Sequence, residues 1–316
     1  MTRTRHRALG IVLVGAAIGA CGKPDTAPVA SVPPKAKPNG EVAASDPKVE
    51  PSAPKAPVSS RPANHKGMTF VGEWHHIAIG KTTMHRSPTE FRSDLERLYK
   101  AGFRPVTAHD WLAGKMDLAK GASPVVMTFD DANPDQFKLL DDGSVDPNCA
   151  VGIWLDFAKT HPDFPIKGTF YVLPTMWGQP KWVSKKLEML HGWGSEIGNH
   201  TITHVPLRHQ TDERVKQEVG DAALALEKLG EKGPFSLAYP LGSTPKNLAM
   251  LKEFDWKGQK IVTTAGFLVG ANPSPDPSSP KFDPYRIPRI QATKGVCGLD
   301  YWFDELKKGH VKLYVE

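Results

Sequence analysis

The feature that most constrains this chain is an apolar segment, residues 125–129, that runs directly into two carboxylates, Asp130 and Asp131. A short apolar run of this kind is typical of a buried strand. Two like charges on neighbouring residues are costly unless something takes up the charge, and a divalent cation usually does so. The segment therefore predicts a buried strand whose end lies beside a metal ion. The alternative is a solvated Asp-Asp turn.

A second segment offers ligands for such an ion. His200 and His204 stand four residues apart after another apolar strand. One Asp with two His is a ligand set that leaves positions open for water and substrate, and it fits Zn, Co, Ni or Fe. Zinc proteases with this His spacing have a Glu after the first His, whereas this chain has Thr201. The base is then expected from Asp130 or Asp131. A chance pair is the alternative, since the chain has 12 histidines.

Strand-like and helix-like segments alternate along the chain, which favours an α/β fold with a parallel sheet or barrel. Ser87, Pro88 and Glu90 form the capping box of a first helix. Other helices are predicted at 151–160, 185–193 and 211–229, and strands at 124–129, 168–173, 195–199, 236–239, 261–264 and 285–290. The acidic pair, His200 and a turn at 240–242 all follow strands. Because strand C-termini meet at one end of a parallel barrel, these residues are expected to converge there.

The N-terminal part has the pattern of an export signal. Residues 1–20 combine a basic start with a short apolar stretch that ends in Ile-Gly-Ala before Cys21, which resembles a bacterial lipobox. In this interpretation Cys21 is lipidated and anchors the protein to a membrane, whereas an ordinary secretory signal is the alternative. Gly22 favours the outer membrane in a two-membraned host. Residues 21–66 are rich in Pro, Ala, Lys and Ser and predict a disordered tether.

Residues 67–316 are long enough for one folded domain. Their two cysteines, Cys149 and Cys297, form a pairable number in an oxidising compartment, with two separate thiols as the alternative. The net charge of +6 is spread along the chain. This charge suits anionic cell-surface polymers, while export and the lack of a recognisable binding module exclude a nucleic-acid partner.

The motifs resemble those of the NodB-homology polysaccharide deacetylases, carbohydrate esterase family 4. The resemblance extends from about Gly72 to Arg289, and four segments carry it: Thr-Phe-Asp-Asp at 128–131, Gly-Thr-Phe-Tyr-Val at 168–172, Glu-Ile-Gly-Asn-His-Thr-Ile-Thr-His at 196–204 and Ala-Tyr-Pro-Leu-Gly at 238–242. It implies a distorted (β/α) barrel of about seven strands.

The resemblance also implies roles for single residues. Asp130 is the expected base, and Asp131, His200 and His204 are the expected ligands of a divalent metal, with Zn first among the four. The turn at Tyr239 and Leu241 is expected to contact substrate, and the Leu241 N–H to hold the oxyanion. A general acid then has to protonate the leaving amine.

Two departures from the family pattern bear on this chemistry. The usual C-terminal Leu-x-His, which supplies the acid, is absent. Instead, Glu-Trp-His-His-Ile at 73–77 resembles a circularly permuted branch that includes poly-N-acetylglucosamine deacetylases. This likeness favours His75 as the acid, with His76 as the alternative. Ala238 stands where many members have an Arg that binds the catalytic Asp, so Arg289 either supplies that cation or is a surface or salt-bridge arginine.

The expected protein is a lipid-anchored enzyme of the cell envelope that removes acetyl groups from N-acetylated glycans such as peptidoglycan or an exopolysaccharide. Two alternatives remain open. One is a catalytically inactive glycan-binding lipoprotein, because two motifs are altered. The other is hydrolysis of an O-acetyl ester or a non-sugar amide, because a fold does not fix a substrate.

Overall fold

The structure is a computed structural model that describes residues 58–316. The expected signal peptide, Cys21 and most of the expected tether lie outside these residues. None of the helices in the described part of the chain is long and apolar enough to cross a membrane.

Strands and helices alternate through the described residues, as the sequence predicts. The strands are β1 (Met68–Trp74), β2 (Phe103–Val106), β3 (Ser123–Asp130), β4 (Thr169–Val172), β5 (Glu196–Asn199), β6 (Phe235–Ala238), β7 (Glu253–Trp256), β8 (Gln259–Phe267), β9 (Ser274–Pro275) and β10 (Ile290–Gln291). The helices are α1 (Pro88–Lys100), α2 (Ala108–Leu112), α3 (Ala150–Thr160), α4 (Val183–Gly192), α5 (Asp212–Lys228) and α6 (Leu299–Lys307).

The central sheet is a distorted barrel. Its order is β10-β1-β3-β4-β5-β6-β8, and all neighbours in this series are parallel. A parallel bridge between Phe267, at the end of β8, and Ile287 brings the chain back towards β10 and so closes the ring. The expected barrel of about seven strands is confirmed, since the parallel series has seven members. β7 adds an antiparallel edge to β8.

β3 is the centre of the sheet, and all eight of its residues are buried. Phe129 stacks on Phe170 of β4 with ring centroids 4.8 Å apart and on Trp74 of β1 at 5.8 Å. Aromatic rings of this size supply much of the apolar burial in a core. Because β3 is held on both sides, its C-terminal carboxylates are placed by a rigid element.

The predicted helices are present with boundaries shifted by a few residues. The capping box of α1 is confirmed, because the Ser87 side chain accepts from the Glu90 N–H while the Glu90 carboxylate accepts from the Ser87 N–H. The strand predicted at 285–290 is ordered as a strand only from Ile290. Helix α6 was not predicted, because it has only two buried side chains, Leu299 and Phe303, to mark an apolar face.

Residues 58–66, expected in the tether, contact the folded domain instead. The Arg61 guanidinium donates to the carbonyl oxygens of Gly102 and Gly121, at 3.2 and 2.7 Å. His65 stacks on Tyr314, with ring centroids 5.2 Å apart. Polar and ring contacts fix this segment even though it lacks the apolar side chains by which a folded segment is recognised in sequence.

Of the two alternatives for the cysteines, the disulfide is not formed. Cys149 and Cys297 are both free thiols. Cys149 is buried at the N-terminus of α3, where its sulfur accepts from the Gly152 N–H at 3.4 Å. Cys297 lies in the loop before α6. The cysteine count suggested a pair, but the sulfur of Cys149 caps a helix instead.

Candidate active site

Asp131, His200 and His204 converge at the C-terminal end of the barrel. The Nε2 atoms of His200 and His204 lie 3.3 and 3.4 Å from the same Asp131 oxygen, Oδ1. Asp131 follows β3, and both histidines follow β5. Asp131 and His204 adopt the left-handed backbone region, with φ of 76° and 57°. Non-glycine residues rarely adopt this region, and they are concentrated at functional sites.

These three residues fit a metal ion by a test within the structure itself. Asp131 Oδ1 and His200 Nε2 are buried and have no hydrogen-bond partner. Buried polar atoms are almost always satisfied, so such orphans need a partner of another kind. The Nδ1 of His200 donates to the Ala238 carbonyl oxygen at 2.9 Å, which leaves Nε2 with a lone pair facing Asp131. Two imidazole nitrogens and one carboxylate oxygen are a ligand set for Zn or a similar cation.

Asp130 lies beside these three residues, with its Oδ2 4.0 Å from His200 Nε2, and is paired with Arg289. Two guanidinium nitrogens of Arg289 donate to the two Asp130 oxygens, each at 2.7 Å. Both side chains are almost completely buried. Burial alone would raise the pKa of Asp130, but the charge and hydrogen bonds of Arg289 hold that pKa well below its usual range. Asp130 is therefore an ionised carboxylate held at a fixed orientation.

Glu73 lies beside Arg289 and His75, and it was not predicted from the sequence as a site residue. Its Oε2 lies 3.4 Å from Arg289 Nε, and its Oε1 lies 3.6 Å from the Nε2 of His75. That Nε2 is also 4.0 Å from Oδ2 of Asp130. Burial raises the pKa of Glu73, although the charge of Arg289 opposes the shift. Glu73 lies within the motif at 73–77, so this motif could have identified it as a site residue.

The two neighbouring histidines have different surroundings. His75 faces Asp130, as described, and its side chain is 10% exposed. His76 points away: its Nδ1 lies 2.8 Å from Asp135 and its ring stacks on His85 at 4.6 Å. Only His75 of the pair therefore reaches the carboxylate cluster.

The turn after β6 contributes less than expected. The Tyr239 side chain is fully buried, and its hydroxyl donates to the Tyr285 carbonyl oxygen at 3.0 Å. The expectation that this side chain contacts substrate is wrong, because it fills the core against Gly266. Leu241, in contrast, is 68% exposed, with φ of 55°. It lies three residues after Ala238, whose carbonyl oxygen accepts from His200.

Residues 118–257 match the family model of polysaccharide deacetylases. This segment, 140 of the 316 residues, is therefore similar to polysaccharide deacetylases. The expected enzyme class, a glycan deacetylase, is confirmed by this match, which includes Asp130, Asp131, His200 and His204. No curated protein matches the sequence.

Solved structures agree with this fold. A deacetylase of Streptococcus pyogenes, PplD, solved with acetate, is 15% identical with a TM-score of 0.56; the match covers 76% of this chain and 98% of that one. A polysaccharide deacetylase of Bacillus cereus is 17% identical with a TM-score of 0.57, over 76% of this chain and 69% of that one. At such identities the likeness concerns the fold. His75 and Arg289 lie outside the residues that the family model matches, so their part in the site rests on the geometry above.

Proposed function

We propose that the deacetylase domain is a metal-dependent hydrolase that removes acetyl groups from N-acetylated glycans of the cell envelope. One observation carries this proposal. The two orphaned atoms, Asp131 Oδ1 and His200 Nε2, lie 3.3 Å apart, and Oδ2 of the ionised Asp130 lies 4.0 Å from the same His200 nitrogen. A cation held by Asp131, His200 and His204 would supply Lewis acidity towards an acetyl carbonyl group. Zn is the expected ion, with Co, Ni or Fe as alternatives.

Asp130 is proposed as the base that takes a proton from the attacking water. Its two oxygens are fixed by Arg289, so the carboxylate cannot rotate away from the pocket. Arg289 thus has the role of the cation that Ala238 cannot supply. A low pKa keeps Asp130 ionised at neutral pH, which a base requires before it accepts a proton.

His75 is proposed as the acid that protonates the leaving amine. Its Nε2 faces Glu73 and Asp130, at 3.6 and 4.0 Å. The presence of Glu73, His75 and Arg289 around Asp130 argues for an active enzyme over an inactive glycan-binding protein. The backbone N–H of Leu241 is proposed as a donor to the developing oxyanion.

Location is proposed from the sequence alone. The signal-like residues 1–20 and Cys21 support export and a lipid anchor, at the outer membrane in a two-membraned host. An N-acetylated polymer of the envelope, peptidoglycan or an exopolysaccharide, is the substrate that such a location supplies.

The proposal is tested with chitin oligomers as a soluble N-acetylated glycan. We expect acetate release that a chelator abolishes and that added Zn restores. His204→Ala should lose bound metal, measured by elemental analysis, whereas His209→Ala, an exposed histidine of the same loop, should keep it. Release that is indifferent to chelation would contradict the proposal. Faster release from acetylated xylan than from chitin oligomers would favour the ester-hydrolase alternative.

A further inference from the structure

Gln136 connects the backbone positions of the proposed acid and the proposed base. Its side-chain nitrogen, Nε2, donates to the carbonyl oxygen of His75 at 2.6 Å and also to the carbonyl oxygen of Asp130. The side chain is fully buried. One amide group thus ties the end of β1 to the end of β3 at the two residues on which the chemistry depends.

The amide of Gln136 suits this position in only one orientation. Both partners are carbonyl oxygens, so the group between them has to be a double donor, and the –NH₂ of Gln is one. Its own oxygen, Oε1, is buried without a hydrogen-bond partner. An unpaired buried acceptor costs free energy, because it has lost its hydrogen bonds to water. The two hydrogen bonds that the –NH₂ group donates therefore have to compensate for this unpaired oxygen.

The backbone of Gln136 and its neighbour Asp135 is bonded to helix α3. The backbone carbonyl oxygens of Asp135 and Gln136 accept from the N–H groups of Ala150 and Val151, each at 3.0 Å. These N–H groups belong to the first turn of α3, which otherwise lacks intrahelical partners. The backbone of Gln136 is therefore bonded to the start of a helix.

Asp135, the preceding residue, also bonds to the segment that contains His75. Its two carboxylate oxygens lie 3.1 Å from the Ile77 N–H and 2.8 Å from Nδ1 of His76. Residues 135 and 136 together thus hold three consecutive residues, 75–77, on the far side of the pocket.

The His75 ring itself has weaker constraints. Its Nε2 lies 3.6 Å from Glu73 and 4.0 Å from Asp130, and both distances exceed that of a hydrogen bond. The position of the ring relative to Asp130 therefore depends on where the backbone is held. Displacing a reacting group by about 1 Å can cost on the order of 100-fold in rate.

We propose that Gln136 is a positioning residue that holds His75 at its working distance from Asp130. This inference rests on the proposed function, because it takes His75 as the acid. In amide hydrolysis the water oxygen bonds to the acetyl carbon, the C–N bond breaks, Asp130 takes the proton of the water and the leaving nitrogen takes a proton from His75. An activated aryl acetate needs no such acid, since its phenolate leaves without a proton. Loss of the hydrogen bonds from Gln136 is therefore expected to slow amide hydrolysis much more than ester hydrolysis.

The test compares Gln136→Met with Gln179→Met in the full-length, metal-loaded protein. Gln179 is a matched control, because its side chain also bonds to backbone groups of the same loop, both at Leu139, but does not touch His75 or Asp130. We expect Gln136→Met to lower kcat on chitin oligomers about 10- to 100-fold, with KM nearly unchanged, and kcat on p-nitrophenyl acetate by less than about threefold. Gln179→Met should leave both rates near those of the unmodified protein.

A second variant keeps the test decisive if the methionine variant does not fold. Gln136→Asn keeps the amide group, adds no charge to the core and is one methylene too short to reach both carbonyl oxygens, so it should show the same selective loss. Equal losses on amide and ester, or an amide rate equal to that of Gln179→Met, would overturn the positioning role. An unmodified protein that hydrolyses neither substrate would instead overturn the proposed function, and this inference with it.

Discussion

The most informative single perturbation is the removal of Arg289. This side chain is fully buried between two buried carboxylates, with two bonds of 2.7 Å to Asp130 and a distance of 3.4 Å to Glu73. Arg289→Met retains much of the apolar volume but leaves both carboxylates without their cation. Breaking a buried pair from one side costs about 3–5 kcal/mol. For a domain of this size, about 2–4 °C of melting temperature is lost per kcal/mol, so a shift on the order of 10 °C is expected.

The assay is thermal unfolding of the full-length protein, together with acetate release. Arg286→Met is the matched control, because Arg286 is an arginine of the same segment whose side chain is 56% exposed and pairs with Asp283 at 3.0 Å. An exposed pair contributes about 0–1 kcal/mol. Adding Glu73→Gln to Arg289→Met should recover part of the lost stability, because it removes one of the two stranded carboxylates. Equal melting shifts for the Arg289 and Arg286 variants would refute the reasoning.

Three further predictions concern other parts of the chain. Burial raises the pKa of Glu196 to about 7, so the folded protein keeps a proton that the unfolded chain loses near pH 4.5. The free energy of unfolding should therefore fall as the pH rises between these values, by up to roughly 3 kcal/mol above pH 7. Glu196→Gln should remove this fall, as measured by urea unfolding. A wild-type slope equal to that of the variant would contradict this prediction. Cys149 and Cys297 should both react with a thiol reagent after denaturation without reductant, and a reductant should leave the melting temperature unchanged. Cys21→Ser should move the protein from the membrane fraction to the soluble fraction, and unaltered membrane association would exclude the lipid anchor.

The sequence predicted the residues that follow strands better than those that lie in loops. Asp130, Asp131 and His200 follow short apolar strands, and strand ends in a parallel barrel have one common location. The α1 capping box was also readable, because its signal lies within four residues. In each case the pattern that reveals the position is local.

The remaining parts depend on contacts between distant segments. Gln136 lies in an irregular loop, and nothing in its neighbourhood indicates that it bonds to the His75 carbonyl group 61 residues earlier. The contacts of Arg61 with Gly102 and Gly121 are equally invisible, since the segment around them has the composition of a linker. The position of Arg289 beside Asp130 could be offered only as one of two alternatives, because the two residues are 159 positions apart.

The central claim is that Asp131, His200 and His204 hold a metal ion beside a base, Asp130. Its most direct test is acetate release from chitin oligomers by metal-free protein as Zn is added, with Asp130→Asn as the control. The account predicts no release without metal, full release at about one ion per chain, and no release from Asp130→Asn although it binds the ion. Release by the metal-free protein, or undiminished release by Asp130→Asn, would contradict the account.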